Sequence, residues 1–406
     1  MRWFGLQNLT AGAAKLSRQE RRAAAIAGGA HALHDGYTDL IYIMLPLWQA
    51  EFGLSYAALG LLRSMFVGAM AGLQIPAGLL AERFGAAAVL AAGTALAGFG
   101  YCIAGASTGF AILLGALVIG GAGASTQHPI ASALVARAFA GPRSLRALGT
   151  YNFSGDLGKM TVPAALSLML LALPWRPALA ILGGVGVLLA IVIFVFTPRY
   201  GRAAIAEEGH ADIGKSQQSS AFAMLLAIGI LDSATRMGFL LFLPFVLTAK
   251  GASLQNVGLA MTLVFAGGAA GKLACAFIGA RIGAIATVWL TEGLTALGIV
   301  ALLPLPLPAA MLLLPLIGVA LNGTSSVLYG SVPDLVTAER RTRALSIFYT
   351  GTIGSGALAP VLFGRVGDAL GVSPALIVVA AAALATLPLA ALLRPALARS
   401  YGAGTA

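Results

Sequence analysis

The chain has 406 residues, 59% of them hydrophobic and only 10% charged, with a formal net charge of +11. A soluble domain carries about 25% charged residues, so this composition excludes the ordinary globular classes and predicts a polytopic membrane protein. The basic excess lies at the ends of apolar runs, a pattern of membrane topology that argues against a nucleic-acid-binding surface.

Residues 1–22 read as a cytoplasmic N-terminal segment with no cleavable signal, in which Trp3, Phe4, Leu6 and Leu9 predict a short interfacial helix. Apolar runs long enough to cross a bilayer, roughly 20 residues each, follow near 23–49, 57–80, 87–106, 108–138, 144–173 and 175–198. After a hydrophilic linker at 199–219 they resume near 220–249, 254–280, 283–304, 308–337, 342–371 and 373–395, leaving a cytoplasmic tail at 396–406. This predicts an all-α membrane protein of twelve spans. With the N-terminus inside, only Arg176, Lys250 and Arg365 fall outside, while the many loop bases from Arg18 to Arg399 fall on the inner side. The positive-inside rule therefore puts both termini in the cytoplasm, across an inner (plasma) membrane. Pairs such as Gly68/Gly72 and Gly267/Gly271 predict close helix approaches, and Cys102 and Cys275 form no disulfide or metal motif.

The first span carries His31-Ala-Leu-His34-Asp35-Gly-Tyr-Thr-Asp39, which at about 100° per residue puts His31, His34, Asp35, Thr38 and Tyr42 on one face. An aspartate at bilayer depth costs about 2.5–3.5 kcal/mol on insertion scales, so a chain that keeps one there uses it. His31 with Asp35 is the expected proton-coupling pair, because a neighbouring carboxylate sets imidazole titration near neutrality. His128 (span 4), Asp156 and Lys159 (span 5), Asp232 and Arg236 (span 7) and Lys272 (span 8) converge on one layer roughly 12–18 Å from the cytoplasmic face. With His34, Asn152, Asn322 and Tyr349 they form the expected substrate-binding set. Asp232/Arg236 and Asp156/Lys159 are each spaced to neutralise themselves on one helix, Asp39 and Arg63 to form a gate ion pair, and Glu292 to face another helix or snorkel.

The halves repeat. At an offset of 198, Pro46, Gly53, Ser55, Gly85 and Arg83 align with Pro244, Gly251, Ser253, Gly283 and Arg281, and at 197 Pro163 aligns with Pro360. Transporters built from such repeats bind solute near the midplane between the halves. With this topology, Gly78-Leu-Leu-Ala-Glu82-Arg83-Phe-Gly85 resembles the Gly-x-x-x-Asp-Arg-x-Gly loop of the major facilitator superfamily, with Glu for Asp. The resemblance implies two pseudo-symmetric six-helix bundles, 23–198 and 220–395, and a gating role for Glu82 and Arg83 beside Asp39 and Arg63. Within the superfamily the chain is most similar to the fosmidomycin-resistance group of exporters. That group's His-x-x-Asn-Asp is His31-x-x-His34-Asp35 here, and its His-Pro-Glu is His128-Pro129-Ile130. Its Gly-Asn-x-Gly before a Gly-Pro is Gly155-Asp156-Leu-Gly158 before Val162-Pro163.

No nucleotide-binding loop is present, which predicts coupling to an ion gradient rather than enzymatic chemistry, with no cofactor and no resident metal. The expected function is a monomeric, proton-coupled exporter or antiporter of a small, anionic organic solute, embedded in the lipid bilayer. Three alternatives are proton-driven uptake of an organic anion, transport of a transition metal or chelate through the His/Asp cluster, and a non-transporting sensor on the same fold.

Overall fold

Ser17 starts the first helix. Its hydroxyl accepts from the Glu20 amide while the Glu20 carboxylate accepts from the Ser17 amide, a capping box that satisfies two otherwise orphaned donors. The Ser17 amide holds the Glu20 carboxyl below its usual range, and Arg143 pairs with it at 2.8 Å. The computed structural model describes residues 16–139, 142–198, 220–336 and 340–403. The interfacial segment near Trp3 and the linker 199–219 lie outside the described residues.

Among the described residues fourteen α-helices follow in order. The first repeat comprises α1 (Arg18–Phe52), α2 (Tyr56–Gly72), α3 (Gln74–Phe84), α4 (Ala86–Gly105), α5 (Phe110–Ala124), α6 (Gln127–Ala138), α7 (Pro142–Met169) and α8 (Trp175–Phe196). The second comprises α9 (Ser220–Ala249), α10 (Leu254–Ile282), α11 (Ala284–Leu302), α12 (Leu307–Ser331), α13 (Arg341–Leu370) and α14 (Val372–Ala403), with a 3₁₀ turn at Val332–Leu335. The described helices long and apolar enough to span a membrane number nine, or ten when α2 and α3, bent by 43°, are taken together. One of the nine is the broken pair α5–α6, running Phe110–Ala138. α1 and α7, of 35 and 28 residues, have the length but carry the embedded charges. They complete the expected twelve. α1 begins at Arg18 and α14 runs to Ala403, so the first and last helices reach beyond the expected 23–49 and 373–395.

The duplication extends to backbone conformation. Gly53 and Gly251, ending α1 and α9, have φ of 63° and 85°, and Gly85 and Gly283, ahead of α4 and α11, have 92° and 82°. These left-handed positions fall to glycine because a Cβ would strain them. Ser55 and Ser253 then cap α2 and α10 through the amides of Ala58 and Asn256. Pro46/Pro244 and Pro163/Pro360 sit inside matching helices.

Small residues set the helix spacing, though not all those expected. Gly267 and Gly271 meet the backbone of α12 at Pro315 and Val319, whereas Gly68 and Gly72 face open space, so that motif makes no helix contact. Between the repeats α2 packs on α13 and α7 on α10. Gly60 abuts the Pro360 carbonyl, and Gly364 abuts Tyr56 and Ala57. Asp368 accepts from the Tyr56 and Ala57 amides at 2.6 and 3.0 Å, so an α13 carboxylate caps the start of α2. On the other seam Gln255 donates to the Ser167 carbonyl and Thr262 to that of Met160. Hydrogen bonds between the repeats run from the face where α1 ends inward to Lys272 and Asp156.

Candidate functional site: a charged central cavity

α1 and α7 touch along their length because Gly158 has no side chain. A Cβ there would overlap the backbone of Ala32, and Gly155 faces His31 and Asp35 in the same way. This approach brings the Tyr151 carbonyl within 2.8 Å of His31 Nδ1, and Lys159 Nζ within 3.3 Å of Asp35 Oδ2. His31 Nε2 lies 3.3 Å from the same Oδ2, and His128 Nε2 lies 3.9 Å from Oδ1. The Tyr151 ring stacks on His31 at 4.3 Å, and its hydroxyl accepts from Gln127 at 2.7 Å.

These contacts fix where protons sit. A carbonyl oxygen only accepts, so His31 must carry hydrogen on Nδ1. In neutral imidazole that leaves Nε2 as a bare lone pair facing a carboxylate. The contact becomes favourable only when a proton is added between His31 and Asp35. His34 differs. Thr94 gives its hydroxyl hydrogen to the Leu90 carbonyl at 2.8 Å, so it can only accept from His34 Nε2, at 3.0 Å. His34 is therefore a buried link from α1 to α4. It does not line the cavity, which corrects the expectation that it shares the substrate-facing stripe: at about 60° from His31 on the wheel it turns toward α4.

A cavity of about 190 Å³ opens beside this cluster, lined by Asp35, Asp39, Arg63, His128, Asp156, Lys159, Arg236, Lys272 and Asn322. Asp156 and Lys159 do not neutralise each other as their spacing suggests. α7 lies between α1 and α10, so Lys159 turns to Asp35 while Asp156 meets Lys272 of the opposite repeat at 2.7 Å. Asp232 and Arg236 do pair on one helix, at 2.6 Å. Asp39 and Arg63 stand 3.5 Å apart, with the guanidinium over the Tyr42 ring, and both border the cavity. Arg63 Nε and Nη1 have no hydrogen-bond partner among the described residues. The lining holds four cations and three carboxylates, and Asp232 behind it balances Arg236. Asn152 and Tyr349 are exposed and lie away from it, Tyr349 tilted against Tyr329, and Glu82 and Arg83 are exposed at the end of α3.

Tyr151 and Gln127 escaped the sequence reading. The Tyr151 contribution is a main-chain carbonyl, which side-chain chemistry cannot announce, whereas Gln127 adjoins His128 and, with no exposure, marks itself as a buried partner.

His31, Asp35 and His128 offer three ligand atoms within 4.8 Å of one another, a donor set suited to a transition metal. The ammonium of Lys159 shares the carboxylate oxygen such an ion needs, and like charges at that distance repel strongly in a low dielectric. Elemental analysis of purified protein is expected to show no stoichiometric Zn, Mn, Fe or Cu. One metal per chain, lost in His31→Ala, would reverse that assignment.

Two six-span repeats around a charged midplane cavity define a secondary transporter working by alternating access. The sequence profile of the Major Facilitator Superfamily matches residues 28–229 and again 225–403, and the chain belongs to that superfamily. Among solved structures it is similar to a bacterial homologue of the human lysosomal transporter Spinster, inward-facing and unoccupied, at 16% identity and a TM-score of 0.78, covering 95% of this chain and 99% of that one. It is likewise similar to the nucleoside transporter NupG, at 15% identity and a TM-score of 0.74, over 94% and 99% of the two chains. No curated protein matches it as a sequence relative.

Proposed function

We propose that this protein couples proton movement to transport of a small organic anion, as an exporter or antiporter of the inner membrane with both termini in the cytoplasm. The observation that carries the reading is His31. Its Nδ1 is committed to the Tyr151 carbonyl, so its contact with Asp35 gains or loses its hydrogen bond with one proton. Lys159 on the same carboxylate ties that proton to the cavity wall. A gradient-driven cycle needs such a link, and the fold carries no nucleotide-hydrolysing machinery among the described residues to replace it.

The cations that border the cavity, Arg63 with two unpartnered nitrogens among them, favour an anion, and guanidinium and ammonium groups suit carboxylate or phosphonate oxygens. Size narrows the class. A cavity of about 150 Å³ holds a benzene ring, so about 190 Å³ fits a compact monocyclic or short-chain acid. In this reading the bonds between the repeats close the outer face. Likeness to the fosmidomycin-resistance group supports export. One residue favours uptake: Val162, standing where the antiporter pattern has glycine, fills the space against Gly36.

Flux in everted vesicles, measured with a panel of small organic acids with and without a pH gradient, tests the function and its direction together. No gradient-dependent flux of any acid would overturn it. Lys159→Gln, Arg236→Gln and Lys272→Gln are each expected to raise the apparent KM of the responsive acid by at least about tenfold, the loss of one charge-assisted contact of about 1.5–3 kcal/mol, and to lower folded yield by less than that. Variants that lower only the yield would make these cations structural counter-charges.

A further inference from the structure

Behind Arg236, away from the His31 cluster, two carboxylates share one cation. Asp232 of α9 and Glu292 of α11 are 4% and 1% exposed, and each lies within reach of the other. Arg236 Nη2 is bonded to Asp232 Oδ2 at 2.6 Å, while Glu292 Oε2 has no partner among the described residues. Fully ionised, this group would hold an uncompensated negative charge in the core of the helix bundle, which costs several kcal/mol.

The hydroxyl chain beside it has no hydrogen to spare. Thr291 gives its hydrogen to the Thr287 carbonyl at 2.8 Å, so toward Thr324 it can only accept. Thr324 meets that need at 2.8 Å and has used its own hydrogen. A carboxylate at Glu292 therefore gains no donor from these hydroxyls, and its Oε2 stays without one among the described residues.

We propose that Asp232 and Glu292 form a second proton site, holding one shared proton at neutral pH, with Arg236 as the link between that proton and the solute cavity. Arg236 borders the cavity on one side and Asp232 on the other. A solute anion that draws the guanidinium away from Asp232 leaves two carboxylates with no cation, and a second proton then binds. Anion binding and proton uptake are linked through this arginine, and reciprocity requires that the proton favours the anion equally, the coupling sign of symport, which fits the uptake reading and not antiport.

Other charges near the site are few. Lys272 on α10, Tyr329 on α12 and Tyr42 on α1 interact with Arg236. α14, packed on both α9 and α11, carries no titratable group from Val372 to Leu393. α13 bears its charges at its ends, and the 3₁₀ turn bears Asp334.

Infrared spectroscopy of the purified full-length protein tests this without a known solute, and independently of whether His31 couples transport. The unaltered protein at neutral pH is expected to show the carbonyl stretch of a buried carboxylic acid. Glu292→Gln and Asp232→Asn should each abolish it, because the remaining acid then pairs with Arg236 as a carboxylate. Arg236→Gln should strengthen it, leaving two acids to protonate. Absence of the band in the unaltered protein, or its survival in whichever acid variant folds, would overturn the proposal.

Discussion

Asp35→Asn is expected to abolish solute flux driven by a pH gradient while solute exchange across the membrane remains detectable. The carboxylate is the partner of His31, His128 and Lys159 together, so its loss removes the proton's acceptor and strands an ammonium. Removing one member of a buried ion pair costs about 3–5 kcal/mol of stability, and coupled flux should fall to background because the proton has lost its acceptor. Some of that cost will appear as lower yield, so His31→Gln is the cleaner partner variant. It leaves Asp35 with Lys159, keeping the charge balance, yet cannot carry the proton between Nε2 and Oδ2. Both variants should show gradient-independent exchange. Normal gradient-driven flux in either would remove the pair from the mechanism.

Gly158→Ala is expected to damage both stability and coupling, although it adds one methyl and touches no solute. That methyl has nowhere to go, because the backbone of Ala32 occupies the position. Overpacking of this kind costs about 1–3 kcal/mol, and here it is relieved only by parting α1 from α7. The Tyr151 carbonyl contact to His31 and the Lys159 contact to Asp35 both cross that seam. Thermal unfolding of purified protein should fall by several degrees, against a near-neutral Gly68→Ala control whose new methyl meets nothing. Equal stability of the two variants would show that the seam yields, and that helix spacing does not position the site.

The repeat was legible in the sequence because it is written in residues with one conformational use. Glycines at Gly53/Gly251 and Gly85/Gly283 mark the same left-handed breaks, and serines at Ser55/Ser253 mark the same caps. The charged layer was legible too, since a charge in an apolar run has few places to point. Its pairing was not. Helical spacing on α7 relates Asp156 to Lys159, but helices on either side of α7 draw them apart. Spacing succeeded for Asp232 and Arg236, which pair on α9 at 2.6 Å. The wheel grouped His34 with His31 because it ignores where the neighbouring helices stand, and α4 supplies the hydroxyl that claims His34. Close glycine approaches were half legible: Gly267 and Gly271 find a partner helix and Gly68 and Gly72 do not, a distinction that depends on which face each helix turns inward.

The carboxylate of Asp368 makes the two seams between the repeats unlike one another. At α2 and α13 the closure includes an anion bound by two main-chain amides at a helix start, and hydrogen bonds to charged groups are worth about 1.5–3 kcal/mol each. At α7 and α10 the contacts toward the same face are a glutamine amide and a threonine hydroxyl on neutral carbonyls, and the charged contact, Lys272 on Asp156 at 2.7 Å, lies deeper, at the cavity. A rocking motion that parts the repeats therefore breaks a charged contact on each edge, at the start of α2 on one and at the cavity wall on the other. A solute in the cavity can reach the second of these and not the first.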